Sequence, residues 1–278
     1  MTWLSQESGT ATVSPGGLLS GVEVGNTTVT AIKESLTSNI VNINISAAVI
    51  TAIQITPAIV GVVKGQNQQV IATATYSDGT LSDISNSVTW TSVETSTATV
   101  TPVGSLSGIE VGSTTVTATR DGIISDIMNV TVCSNVSGAC IDTFDIGNGT
   151  LLTNSPSVAY LDIIGGGATN GFYTEDGNFG PSGDFYFFIW SNANALCDIY
   201  NAQNLEGRNN WSLTTQNDLV GLYNSFGNMF TLRNWPTVRS YWSATISINF
   251  YYGARLRDGV TGLYDPTYPA YASCISKH

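Results

Sequence analysis

The residues best placed to do chemistry in this 278-residue chain are Tyr251, Arg255 and Arg257. The run from Asn249 to Arg257 alternates in the way of a strand with one covered face. With Phe250, Tyr252, Ala254 and Leu256 turned to a core, Tyr251, Arg255 and Arg257 stand on the opposite side. Asp258, Tyr264, Asp265 and Tyr268 follow in the loop beyond. Tyrosine offers broad, rigid contact area and arginine a planar fork of donors, so the pattern is one of ligand recognition. The plainer alternative is a strand of ordinary surface residues with partly buried rings.

Catalysis has less to work with. The single histidine is His278, so Ser-His-Asp and Cys-His arrangements lack their base, and no HExxH occurs. A glycosidase needs two opposed carboxylates, for which Glu175, Asp176, Asp184, Glu206 and Asp218 are available. Asp218 is better explained as a helix-start residue, and Glu206 as a surface charge near a helix end. Gly165-Gly166-Gly167 follows a candidate strand at Tyr160 to Ile164 but completes neither GxGxxG nor GK[ST], so it reads as a flexible turn. The expectation is a binder without catalytic residues or cofactor.

Cys133, Cys140, Cys197 and Cys274 contain no CxxC pair, which argues against a zinc site; no metal is expected. Two disulfides are expected instead. Cys133–Cys140 would close a small loop, and Cys197–Cys274 would tie a helix to the last strand, both implying an oxidising, extracellular setting. With nine Lys and Arg against twenty Asp and Glu, neither nucleic acid nor an anionic membrane surface is an expected partner. No run is apolar and long enough to span a bilayer, so direct membrane insertion is not expected, and the chain reads as a monomer.

The elements that must hold these residues can be read in turn. Phe185 to Trp190 is a continuous apolar run after Gly180-Pro181-Ser182-Gly183, as in a buried strand. Ser191 to Asn204 reads as a helix with Ala195, Leu196, Ile199 and Tyr200 inward and Cys197 near that face, ended by Gly207. Thr215 caps a second helix running to Phe226. Asp218 complements its positive end, Leu219, Leu222, Tyr223 and Phe226 form its apolar stripe, and Gly227 stops it. Strands follow over Ser240 to Ile246, Asn249 to Arg257 and Tyr271 to Ile275. Of the 27 aromatic residues, 24 lie after Val132, so the large side chains of cores and interfaces concentrate in this half.

The first half is lean in aromatics and repetitive. Residues 2–45 align without a gap on residues 89–132: Thr2-Trp3 meets Thr89-Trp90, Thr10-Ala11-Thr12-Val13 meets Thr97-Ala98-Thr99-Val100, and Thr27 to Ala31 meets Thr114 to Ala118. The first copy begins part-way through a module, which suggests a piece of a longer array. The complete copy, residues 48–132, carries short alternating runs such as Gln69 to Tyr76 and Ser113 to Ala118, with a turn at Ser77-Asp78-Gly79-Thr80. These are signs of a β-sandwich of immunoglobulin size, with Trp90 expected in its core.

Ile55-Thr56-Pro57, Lys64-Gly65, Ala72-Thr73-Ala74, Tyr76 to Thr80, Trp90 and the Gly112 to Ala118 run resemble the bacterial immunoglobulin-like domain, group 2. The resemblance implies stacked spacer modules of surface adhesins, with residues 1–47 a partial module and 48–132 a complete one. Residues 133–278 form the next domain, and within it roughly residues 190–276 carry a second resemblance. Asn210-Trp211-Ser212-Leu213-Thr214, Asp218-Leu219, Leu222-Tyr223-Asn224, Trp235-Pro236-Thr237, Tyr241-Trp242-Ser243 and Ser273-Cys274-Ile275 look like the C-terminal lectin-like head of invasin and intimin-type adhesins. The spacing of Cys197 and Cys274 is similar to that family's head disulfide.

The fold class so implied is multidomain: all-β immunoglobulin-like sandwich modules followed by an α+β C-type-lectin-like domain. The implied function is the tip of a bacterial cell-surface adhesin, anchored in an outer membrane through an upstream part and binding a host-cell receptor or glycan. The EPN or QPD and WND motifs of calcium-dependent sugar binders are missing, Asp265-Pro266-Thr267 being the nearest fragment, so a calcium-free contact with a protein is expected. In integrin-binding members an exposed aspartate completes the receptor's metal site, a part that Asp258 or Asp265 would take. A carbohydrate-binding or carbohydrate-active protein and a self-associating biofilm tip are the alternatives.

Overall fold

The computed structural model describes residues 1–277, and they fall into two compact units, Met1–Thr51 with Tyr76–Thr80, and Ala52–Thr75 with Leu81 onward. In the first unit, Gly25–Lys33 is the central strand, paired antiparallel with Thr2–Ser5, Leu36–Thr37 and Val41–Ile45. Ala11–Val13 and Leu19–Gly21 form a separate hairpin.

In the second unit the repeat reappears at atomic detail. Trp90 pairs with Ala118 as Trp3 pairs with Ala31. The Glu94 amide donates to Thr114 Oγ1 at 2.9 Å, as the Glu7 amide does to Thr27. One sheet runs Thr89–Ser92, Gly112–Arg120, Met128–Cys133 and Ile59–Val63, the last pair parallel. Alternation fixes its faces: Thr114, Val116 and Ala118 are buried, with Ser113, Thr115 and Thr117 on the other side. Facing strands bring Ile53, Ile55, Val70, Ala72, Ala74 and Leu106 to the same core. Trp90 differs from expectation. It is half-buried at the margin, where its indole N–H reaches the Ser85 carbonyl at 3.0 Å; a ring carrying a donor settles where that donor has a partner.

After Cys133 the chain mixes short strands with helices α1 (Val158–Ile163), α2 (Trp190–Ala202), α3 (Gln216–Phe226) and α4 (Met229–Arg233). α3 is built as its sequence indicates: Thr215 and Asp218 form a reciprocal capping box, Leu219 and Leu222 are buried, and Gly227 ends it at positive φ. α2 differs in detail. It begins at Trp190, so the run from Phe185 is not one strand; Gly183–Tyr186 is the strand, and Phe187 and Phe188 lead into the helix. Its inward face is Ala193, Leu196, Cys197 and Tyr200, with Ala195 exposed. α1 replaces the strand expected at Tyr160, because Ser157 caps it by accepting from the Tyr160 amide, and Gly165 and Gly166 end it. α4 and the strand Thr261–Tyr264 were not signalled by apolar periodicity.

Both expected disulfides are present. Cys133–Cys140 closes a seven-residue separation, and Cys197–Cys274 ties α2 to the closing strand Cys274–Ser276 across 77 residues.

Candidate functional site

The expected recognition residues lie on or beside a three-stranded antiparallel sheet, Tyr241–Ser247, Phe250–Ala254 and Thr261–Tyr264. At its base this sheet is covered on both faces. Tyr241, Ala254 and Leu256 join Leu219, Leu222 and Trp235 in one core, while Trp242, Tyr251 and Tyr264 pack with Leu196, Trp211 and Cys274 in another. Alternation in such a sheet separates two cores instead of core from water.

That geometry corrects the facing of two residues. Tyr251, expected outward, is half-buried and stacks on Trp190 at 3.9 Å between ring centroids. Phe250, expected inward, is exposed. The pairing shifts between Trp242↔Gly253 and Ile246↔Tyr251, and beyond that irregularity Ile246, Ile248 and Phe250 are exposed. Tyr264 is on a strand rather than in a loop: it pairs with Tyr251, stacks on Tyr268 at 4.8 Å and shares a 2.9 Å hydrogen bond with Ser240 Oγ.

Arg255, Arg257 and Asp258 are satisfied among themselves. Arg255 donates to Asp258 with a closest approach of 2.6 Å, and Arg257 reaches the same carboxylate at 3.4 Å while its guanidinium covers the Phe179 ring. Arg255 holds the Asp258 carboxyl below the usual carboxylate range. Asp265 is exposed and accepts from the hydroxyl and amide of Thr267, which lower its pKa.

The open end of the sheet holds residues that pattern reading missed. Ile246, Ile248, Phe250 and Leu263 are all exposed, Ile248 at 88%. Ile248 also has φ 56°, a left-handed conformation that a β-branched side chain rarely takes. Neither Tyr241 to Ala254 nor Gly259 to Tyr264 contains an Asp, Glu, Lys or Arg, so this apolar end carries no formal charge in a chain of net charge −11. The one sequence signal was that absence, together with an isoleucine where the hairpin must turn.

The acids considered for glycoside cleavage are engaged otherwise. Asp218 is the capping-box residue and pairs with Lys277 at 2.9 Å. Asp176 and Asp184 accept from Asn178 and Thr174. Glu175 is fully buried, and burial raises its pKa against the hydrogen bonds that Oε1 accepts from Tyr271 and the Val238 amide. Glu206 is not a surface charge. It is half-buried, and that burial pushes its pKa up to about 7. Among the described residues no group of three or more His, Cys, Asp and Glu could hold a metal ion, and no helix is long and apolar enough to cross a membrane.

Residues 49–126 match the bacterial Ig-like domain (group 2). Ice-binding protein 1 of Shewanella frigidimarina (strain NCIMB 400) is 38% identical over 157 residues, which is 56% of this chain and only 17% of that protein. Among solved structures, adhesin InvE of Yersinia pseudotuberculosis shares 18% identity over 99% of this chain and 86% of its own, with a TM-score of 0.37. A mutant of intimin from EHEC O157:H7 shares 16% over 83% of this chain and 99% of its own, with a TM-score of 0.26. Scores of this size do not define a common fold.

Proposed function

We propose that this chain is the tip of a bacterial cell-surface adhesin, with immunoglobulin-like modules spacing a C-type-lectin-like head that begins near Cys133. The observation that carries the reading is the charge-free, apolar open end of the three-stranded sheet. Exposed Ile246, Ile248 and Phe250 at the hairpin end, with exposed Leu263 on the neighbouring strand, are what a chain keeps for contact with a partner. Asp265 and the accessible parts of Tyr251, Tyr264 and Tyr268 border that end, and Arg255, Arg257 and Asp258 follow at the sheet's other end. The two disulfides support an extracellular location. The hydrogen bonds that occupy Asp176, Asp184, Glu206 and Asp218 support a binder over an enzyme.

The test is binding of the full chain to a panel of animal-cell surface proteins and glycans, with and without a calcium chelator. Saturable, chelator-insensitive binding to a protein is the expected result; binding to glycans alone, or binding lost on chelation, would refute the calcium-free protein contact. A second reading draws on the identity with a protein named for binding ice: the surface gripped would then be ice. Enrichment of the chain in a slowly growing ice fraction, set against an inert protein of equal charge, distinguishes the two.

A further inference from the structure

Glu206 belongs to the region after Cys133, yet it closes on the preceding sandwich. It sits in the 3-10 turn Leu205–Gly207 at φ 56°. Its Oε2 accepts the main-chain N–H of Gln69 at 2.7 Å, and its Oε1 accepts the Thr143 hydroxyl at 2.5 Å. Gln69 ends the sandwich strand Asn67–Gln69, and Thr143 begins the strand Thr143–Asp145.

The other hydrogen bonds across this joint involve no carboxyl group, and the Ile141 amide donates to the Gly61 carbonyl at 3.1 Å. Asn204 Nδ2 donates to Thr56 Oγ1 at 3.2 Å, and Arg233 Nη2 donates to Gln66 Oε1 at 2.9 Å. Gly207 lies so close to the Ile71 side chain that a Cβ there would come within 2.9 Å. The charged and titratable groups facing Glu206 are few. Arg208, from the same turn region, favours the carboxylate, and Asp142, itself held by Arg233 and Trp235, opposes it. Burial, and after it Glu206, raises the pKa of the Tyr160 phenol of α1. The sandwich side, through Gln66, Gln69 and Ile71, brings no charge.

We propose that this contact is a proton-operated latch, in which the protonated Glu206 carboxyl holds the sandwich and the C-terminal region together and its ionisation loosens them. Both protonation states can keep two hydrogen bonds. When Oε1 carries the proton it donates to Thr143, whose hydroxyl reverses, while Oε2 still accepts from Gln69. Ionisation leaves a charge partly withdrawn from water with Arg208 as its favourable neighbour, which favours opening. In an opened joint the carboxyl returns to its ordinary value of 4.5, against about 7 when closed. Closure is therefore fully favoured below that ordinary value, weakens as pH rises between the two, and is weakest above the higher one.

The test is amide hydrogen exchange on the full chain between about pH 5 and about pH 8, corrected for intrinsic rates, with Gln69 as reporter. Its protection should fall on the order of a hundredfold across that range, while the core amides of Val116 and Trp242 keep theirs. Glu206→Gln, which retains an acceptor but cannot titrate, should abolish the fall. A flat profile in the unmodified chain, an equal fall in Glu206→Gln, or a parallel fall at Val116 and Trp242 would overturn the latch. Should the variant fold poorly, infrared titration of the chain isotope-labelled at Glu206 alone decides, since burial raises the Glu175 pKa as well. A Glu206 midpoint near neutrality supports the latch, and one in the ordinary carboxylate range overturns it.

Discussion

The second sandwich and the region after it solve core burial differently. The sandwich relies on small and β-branched residues, Val116, Ala118, Val130, Val132, Ile53 and Ile55, delivered to one face by strict alternation. The C-terminal region buries Trp211, Trp235, Trp242, Tyr241 and Tyr271, each carrying a polar atom that needs a partner. Those partners are specific: Trp242 Nε1 donates to the Phe188 carbonyl at 2.7 Å, Trp211 Nε1 to the Leu205 carbonyl at 3.0 Å, and Trp235 Nε1 to the Asp142 carboxylate at 2.6 Å. A core made of pattern tolerates small changes, whereas a core made of particular hydrogen bonds fails when one partner is removed.

The comparison can be broken by substitutions of decreasing effect. Replacing Cys197 and Cys274 together by serine should lower the stability of the C-terminal region by about 4 kcal/mol, from the loop entropy of the released segment, and leave the sandwich transition in place. Denaturant unfolding followed by tryptophan fluorescence reads it; loss of both transitions together would mean that the two parts are one cooperative unit. Asp142→Ala strands the Arg233 guanidinium, 17% exposed, and the Trp235 indole. It should cost about 3 kcal/mol, again in the C-terminal transition. In the sandwich, Ile55→Val removes one buried methyl and should cost about 1 kcal/mol, seen by circular dichroism as a shift of the sandwich transition alone. Smallest is Ile248→Gly, which relieves the left-handed backbone and should raise thermal stability by up to about 1 kcal/mol. A loss of stability there would mean that Ile248 packs on something in solution.

The same contrast explains what the sequence revealed. In the sandwich, Thr114, Val116 and Ala118 alternate with Ser113, Thr115 and Thr117 because one face meets a core and the other meets water, so period and environment agree. The cap of α3 was equally readable, since Thr215 and Asp218 act on each other locally. In the three-stranded sheet both faces meet cores, so the periodicity that put Phe250 inside and Tyr251 outside carried no such information. Glu206 was unreadable for a different reason. Its burial depends on Gln69, far upstream in the chain, and a charge near a helix end has no local sign of such a partner. The exposed Ile248 was hidden because its turn, closed by the Ser247↔Phe250 pair, contains neither glycine nor proline.

The central claim is that the open end of the sheet is the contact surface, and cell binding of the full chain tests it directly. A titration by flow cytometry would set the unmodified chain against an Ile246→Ser, Ile248→Ser, Phe250→Ser triple variant on intact animal cells. The account predicts saturable binding by the first and at least about a tenfold loss of affinity in the second, with unchanged denaturation profiles. Equal binding by the two folded chains would contradict it.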